Sequence, residues 1–152
     1  MSVYEKLKEL NIELGKPSTN VAAYVMAAQT GNTVFLSGHI ARRSDGTVWV
    51  GKCGANINTD EGKDAARSIA VDLITTLHSH TGDLNKIKRI VKVMGLVNST
   101  LEFTEHHLVM NGCSELLNQV FGEVGRHARS AFGVAQIPLG ACVEIEMIVE
   151  VC

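Results

Sequence analysis

The most regular hydrophobic pattern in the chain lies near its end. Val143, Ile145, Met147, Val149 and Val151 alternate with Glu144, Glu146, Ile148 and Glu150, and a period of two predicts a strand with one buried face. Just before it, residues 130–137 interleave Ala131, Gly133 and Ala135 with Phe132, Val134 and Gln136. That run reads as a second strand, whose small residues let another backbone or a ligand come close. Pro138, Leu139 and Gly140 lie between the two, so together they predict a closing β-hairpin with Arg129 at its mouth.

Earlier in the chain, Val3, Leu7, Leu10 and Leu14 recur at helical spacing among Glu5, Lys6, Lys8 and Glu9, which predicts an amphipathic helix over residues 3–14. Residues 21–29 and 33–40 are strand-like runs around a Thr30-Gly31-Asn32 turn, and residues 47–50 add a short third strand. Asn58 followed by Glu61 has the form of a helix start. Behind it Ala66, Ile69, Ala70, Leu73, Ile74 and Leu77 make one apolar stripe.

Residues 86–97 are rich in β-branched side chains and predict a strand. A second long helix carries Leu116, Leu117, Val120 and Phe121 inward; its start falls either near Thr104 or at Asn111-Gly112. This order predicts one α+β domain over residues 1–152, with residues 1–16 as an N-terminal helical extension. The half-apolar strands need a cover, so a mixed sheet with two main helices on one face is expected. Its other face or an edge is then left for self-association.

Composition narrows the function. A chain of 152 residues with a formal net charge of −2 has no basic footprint for nucleic acid, and no apolar run approaches a membrane span. The N-terminal residues carry charges every few positions and lack the apolar run of a signal peptide, and Cys53, Cys113, Cys142 and Cys152 form no C-x-x-C pair. Free thiols and a cytoplasmic location are the expectation.

Among residues that carry chemistry, Arg129 offers a planar fork suited to a carboxylate. A hairpin register centred on Leu139 and Gly140 would pair it with Glu150, and on residues alone that salt bridge ranks ahead of a ligand. Glu144 has the character of a general acid or base, yet the same register sets it opposite Ala135, about 20 Å along the strand from Arg129. One small substrate could not span that gap, so either the register differs or two subunits share the site. His78 with His80, and His106 with His107, lack the i, i+4 spacing of helical zinc ligands; no metal site is expected. His39 at a strand end reads as structural. No cysteine is set with a histidine and an acid, and no phosphate-binding loop is present.

Ala128-Arg129-Ser130, Val134-Ala135, Pro138 and Val143-Glu144-Ile145-Glu146 resemble the C-terminal signature of the RidA family, also called the YjgF family. Tyr24-Val25, Gly31-Asn32 and the strand from Val34 through Ser37-Gly38 to Ile40 resemble that family's first hairpin. The resemblance implies a chorismate-mutase-like α+β fold and a homotrimer with ligand clefts between subunits. It further implies hydrolysis of reactive enamines and imines of the 2-aminoacrylate and 2-iminobutanoate type to 2-keto acids and ammonia, with no metal or organic cofactor.

By the same resemblance Arg129 grips the substrate carboxylate and Glu144 handles the water or proton, while Tyr24, Ser37 and Asn111 line the cleft. The match departs from the pattern where the family often keeps a cysteine two residues after the arginine, because this chain has Ala131. Residues 101–110 and the N-terminal helix lengthen it, and with His127-Ala128-Arg129-Ser130 they look like a divergent subgroup. A non-catalytic trimer that binds small carboxylates or regulates is the alternative expectation.

Overall fold

The computed structural model describes residues 1–19 and 23–152. Two helices begin with the same local device. The side-chain oxygens of Ser2 and Asn58 each accept the backbone N–H three residues on, and Glu5 and Glu61 reach back to the cap N–H. The first box opens α1 (Val3–Glu9) and the second opens α2 (Thr59–Thr81), which buries the predicted apolar stripe and stops at left-handed Gly82. α3 (His106–Phe121) completes the helices.

Five strands, β1 (Ala27–Thr30), β2 (Thr33–Ile40), β3 (Ile87–Asn98), β4 (Ala128–Val134) and β5 (Val143–Val151), form one mixed sheet in the order β1-β2-β5-β3-β4. All neighbours are antiparallel except β3 and β4. Val34 lies beside Val149, Leu36 beside Met147, Val93 beside Met147 and Val97 beside Val143, and these side chains are all buried. α2 and α3 pack on that face. The opposite face carries Phe35, Ile148, Leu96, Phe132 and Glu144, and among the described residues no helix covers it. Phe35 and Phe132 remain 46% and 43% exposed there.

The alternation of β5 is as predicted, but the closing hairpin is not. β4 and β5 do not pair, because β3 lies between them, parallel to β4 and antiparallel to β5. The chain leaving β4 crosses the end of β3, and buried Asn98 ties the crossing down: its amide donates to Gln136 Oε1 and to Ala141 O at 3.1 Å. Lys52 Nζ adds a bond to Ala135 O at 2.8 Å. The expected register is therefore replaced. Arg129 sits opposite Val93, not Glu150, and Glu150 pairs with Lys88 Nζ at 3.2 Å. Glu144 has Ile40 and Leu96 as neighbours, not Ala135.

Smaller corrections follow from local geometry. α1 ends before Leu14, since Asn11 turns left-handed (φ 57°) and Ile12 N–H bonds back to Leu7 O. β1 begins at Ala27, and residues 21 and 22 of the expected strand lie outside the described residues. Residues 47–50 make single bridges, Val48 to Arg42 and Val50 to Ala141, instead of a ladder.

Gly112 lies inside α3 and does not interrupt it. A side chain there would strike the backbone carbonyl of Lys63 on α2, which cannot rotate away, so the two helices cross where glycine permits. Gly112→Ala gains up to about 1 kcal/mol in helix propensity but forces overpacking that costs about 1–3 kcal/mol. The expected net result is a lower urea midpoint, equivalent to a loss of about 1–2 kcal/mol. An unchanged or higher midpoint would show that the crossing has slack.

Candidate functional site

Arg129 owes its direction to the parallel pairing of β4. Opposite Val93 it points to the helix face of the sheet, under α3. Its Nη1 donates to Asn111 Oδ1 at 2.9 Å and to Ser114 Oγ at 3.2 Å, and Nη2 donates to the His107 carbonyl at 3.3 Å. Asn111 and Ser114 are three residues apart on α3 and so share one helix face.

A guanidinium has five N–H donors. Three are occupied here, leaving two, and all the acceptors are neutral. Among the described residues no carboxylate lies within ion-pair distance of Arg129. The charge is thus fixed in place and not neutralised.

His127, two residues before Arg129 and just ahead of β4, also reaches α3. Its ring bonds Gly125 O through Nδ1 at 2.6 Å and Ser114 Oγ through Nε2 at 2.8 Å. Burial holds the imidazole below its ordinary pKa, the bond to Gly125 opposes that, and the Arg129 charge adds to it. Asn111, Ser114, Asn118, Arg126, His127 and Arg129 line an opening of about 260 Å³.

Glu144 stands elsewhere. It lies on the uncovered face of β5, beside a bulge in β2 where the register slips between Leu36 and His39. The bulge contains Ser37 and Gly38. A side chain at Gly38 would come 2.7 Å from Glu144 Oε2, so glycine makes room for the carboxylate. Burial, with the nearby Glu146 charge adding to it, raises the Glu144 pKa above the usual carboxylate range. Ser37 Oγ donates to Val25 O at 2.6 Å, and Tyr24 just before it is exposed.

The five residues singled out in the sequence therefore fall into two groups. Arg129 and Asn111 meet at the β4 edge, while Glu144 lies against Gly38 of the β2 bulge that also holds Ser37, whose hydroxyl is tied to Val25 O next to Tyr24. The groups occupy opposite faces of the sheet, with β3 between their strands, a lateral separation of roughly 10 Å. One chain alone does not bring them together.

Sequence reasoning missed Ser114 and His127. Their i, i+3 and i, i+2 spacings from Asn111 and Arg129 were legible, but which faces they shared depended on the start of α3 and the partner of β4. Four of the other five histidines have local partners: His39 bonds Thr76 Oγ1 at 2.8 Å, His78 bonds Tyr4, His80 bonds Gln29 and His106 bonds Ser99. Burial pushes the Cys53 thiol up to about 11 and those of Cys113 and Cys142 up to about 12, so none of these three is a thiolate nucleophile at neutral pH. Among the described residues no helix is long and apolar enough to cross a membrane.

A family model described as "YjgF/chorismate_mutase-like, putative endoribonuclease" matches residues 5–151. The chain belongs to the YjgF family. The mixed sheet with α2 and α3 on one face is that family's chorismate-mutase-like α+β fold. A Trypanosoma cruzi protein, TCP17, is 41% identical over 152 residues, covering 97% of this chain and 93% of that protein. The crystal structure of Atu1372 from Agrobacterium tumefaciens, a protein of unknown function, has a TM-score of 0.90 at 38% identity, covering 99% of this chain and 93% of that one. A Shewanella oneidensis structure described as an endoribonuclease of the putative kind reaches 0.95 at 26% identity, covering 99% and 100%.

Proposed function

We propose that this YjgF-family chain is a hydrolytic deaminase of small carboxylate-bearing imines and enamines, of the 2-iminobutanoate and 2-aminoacrylate type, acting in a closed ring of three copies. The observation that carries the reading is Arg129: a guanidinium held by three neutral acceptors, with two donors left over and, among the described residues, no carboxylate within ion-pair distance. Such a group favours a planar anion that it can hold by two bonds.

Glu144 supplies the chemistry. Its raised pKa lets one carboxylate take a proton from water and return it. Water adds to the imine carbon as Glu144 accepts its proton, giving a carbinolamine. The returned proton goes to the nitrogen to complete the carbinolamine; its hydroxyl then gives up the second proton, through Glu144, to the nitrogen as the C–N bond breaks, so that ammonia leaves and the 2-keto acid remains. Tyr24 and Ser37 line the Glu144 side, and Asn111 orients Arg129.

A second copy is needed to unite the two groups. β1 and β4 are opposite free edges of the sheet, and a head-to-tail contact that repeats and closes makes a ring. Exposed Tyr24, Val25 and Phe35 on one side and Phe132 on the other favour that contact. The distance between Arg129 and Glu144 within one chain also supports the second reading, a trimer that binds carboxylates without turning them over.

Ammonia release from freshly generated 2-iminobutanoate is expected to run faster with the protein than in buffer. Light scattering should give the mass of three chains. Stabilisation by 2-ketobutanoate without acceleration would select the binding reading. Neither acceleration nor stabilisation would overturn both.

A further inference from the structure

Holding a carboxylate does not require the arrangement around Ser114. A carbonyl oxygen can only accept, so the 2.6 Å contact between Gly125 O and His127 Nδ1 places the ring proton on Nδ1. That leaves the Nε2 lone pair facing Ser114 Oγ at 2.8 Å, and the serine hydroxyl donates to it. Ser114 Oγ also accepts from Arg129 Nη1 at 3.2 Å, and this cation favours negative charge developing on the oxygen. A hydroxyl bonded to a neutral imidazole, itself oriented by a third group, is the arrangement of an activated nucleophile.

The surroundings allow access. Ser114 and His127 are half-buried and both line the opening of about 260 Å³. Asn118, one turn further along α3, lines it too, and its side-chain amide has no hydrogen bond among the described residues. The guanidinium that donates to Ser114 Oγ also keeps two N–H groups unused among the described residues, so a bound anion would lie near the same oxygen.

We propose that Ser114 is a nucleophile activated by His127, and that this opening accepts short acyl esters bearing a free carboxylate. The choice of acyl group rests on the Arg129 anchor of the proposed deaminase, whereas the dyad itself needs neither Glu144 nor a second copy. Ser114 Oγ bonds to the ester carbonyl carbon as its proton passes to His127 Nε2, with the Asn118 amide beside the developing oxyanion. The ester C–O bond then breaks, and the alcohol leaves with the proton from Nε2. Water repeats the sequence on the acyl-serine: its proton goes to Nε2, the Ser114–acyl bond breaks, and Oγ recovers its proton as the free acid departs.

The test uses the full chain with 4-nitrophenyl hemisuccinate, and 4-nitrophenyl acetate as the uncharged control. Wild type is expected to release nitrophenol faster than buffer and to prefer hemisuccinate by about tenfold or more. Ser114→Ala and His127→Gln should each slow release by roughly 10²- to 10⁴-fold. The wild-type rate should fall as pH drops through the lowered His127 range. A fluorophosphonate probe should label wild type at Ser114, found by peptide mass mapping.

Labelling elsewhere or not at all, or unchanged release in Ser114→Ala, overturns the proposal. Because trapping is read on wild type, it decides the matter even if a variant fails to fold. Ammonia release from 2-iminobutanoate, read on the same sample, separates the two activities. Ammonia without an adduct overturns the dyad alone, and an adduct without ammonia upholds the dyad while the deaminase reading fails.

Discussion

Arg129→Ala is expected to lower kcat/KM for 2-iminobutanoate by about 10²- to 10³-fold, chiefly through KM. Truncating one partner of a desolvated, charged hydrogen-bonded pair costs about 2–5 kcal/mol, and each 1.4 kcal/mol is a factor of about ten. The loss should sit near the middle of that range, because Arg129 is only half-buried. Arg129→Lys keeps the charge but has no fork to engage Asn111, Ser114 and a carboxylate together, so it should recover a small part of the loss. Stability should change little. Asn111 and Ser114 are half-buried, and water can replace the lost donor. Circular dichroism melts check that the variants are folded, and a KM equal to wild type in a folded Arg129→Ala would remove Arg129 from substrate binding.

Much of this fold was written in local pattern. The period of two in β5, the stripe of α2 and the Asn58–Glu61 capping box each depend on residues a few positions apart, and each is present as read. What could not be read was which strand lies beside which. Pro138-Leu139-Gly140 has the composition of a hairpin turn, yet β3 occupies the place between β4 and β5, tied there by Asn98 reaching Gln136 and Ala141. No local signal in residues 128–151 encodes that insertion.

The consequence for the site is large, because partner and register decide which face a strand residue takes. With Glu150 opposite, Arg129 would be a salt bridge; with Val93 opposite, it lies under α3 with its charge unpaired. Of the two alternatives the sequence left open, the register does differ, and within one chain the two groups still stand apart for another reason. The two groups are separated across the sheet and through it, and not by distance along a hairpin. Ser114 and His127 illustrate the same limit, since their spacing was legible while their meeting depended on a helix start and a parallel pairing.

Glu144→Gln should separate chemistry from binding most cleanly. If Glu144 moves the proton of the attacking water, its amide isostere is expected to lower kcat by roughly 10²- to 10⁴-fold with KM for 2-iminobutanoate nearly unchanged. The wild-type rate should rise with pH as Glu144 ionises, with a midpoint displaced upward from the usual carboxylate range because burial, and next Glu146, raises its pKa. Stability should move the other way. A carboxyl whose folded pKa is raised binds more protons folded than unfolded, so ionising it weakens the fold as pH climbs through the interval between its unfolded and folded values. At neutral pH the glutamine variant, which has no charge to bury, should melt about 2 °C higher than wild type, and the gain should vanish below the unfolded carboxylate pKa. Glutamine has the shape to keep the space opened by Gly38 filled, so the comparison isolates the charge. A variant that loses activity and gains thermal stability would mark Glu144 as a strained catalytic carboxylate. If kcat is unchanged, the water is activated by another group, and the two-copy site has no role for the β2 bulge.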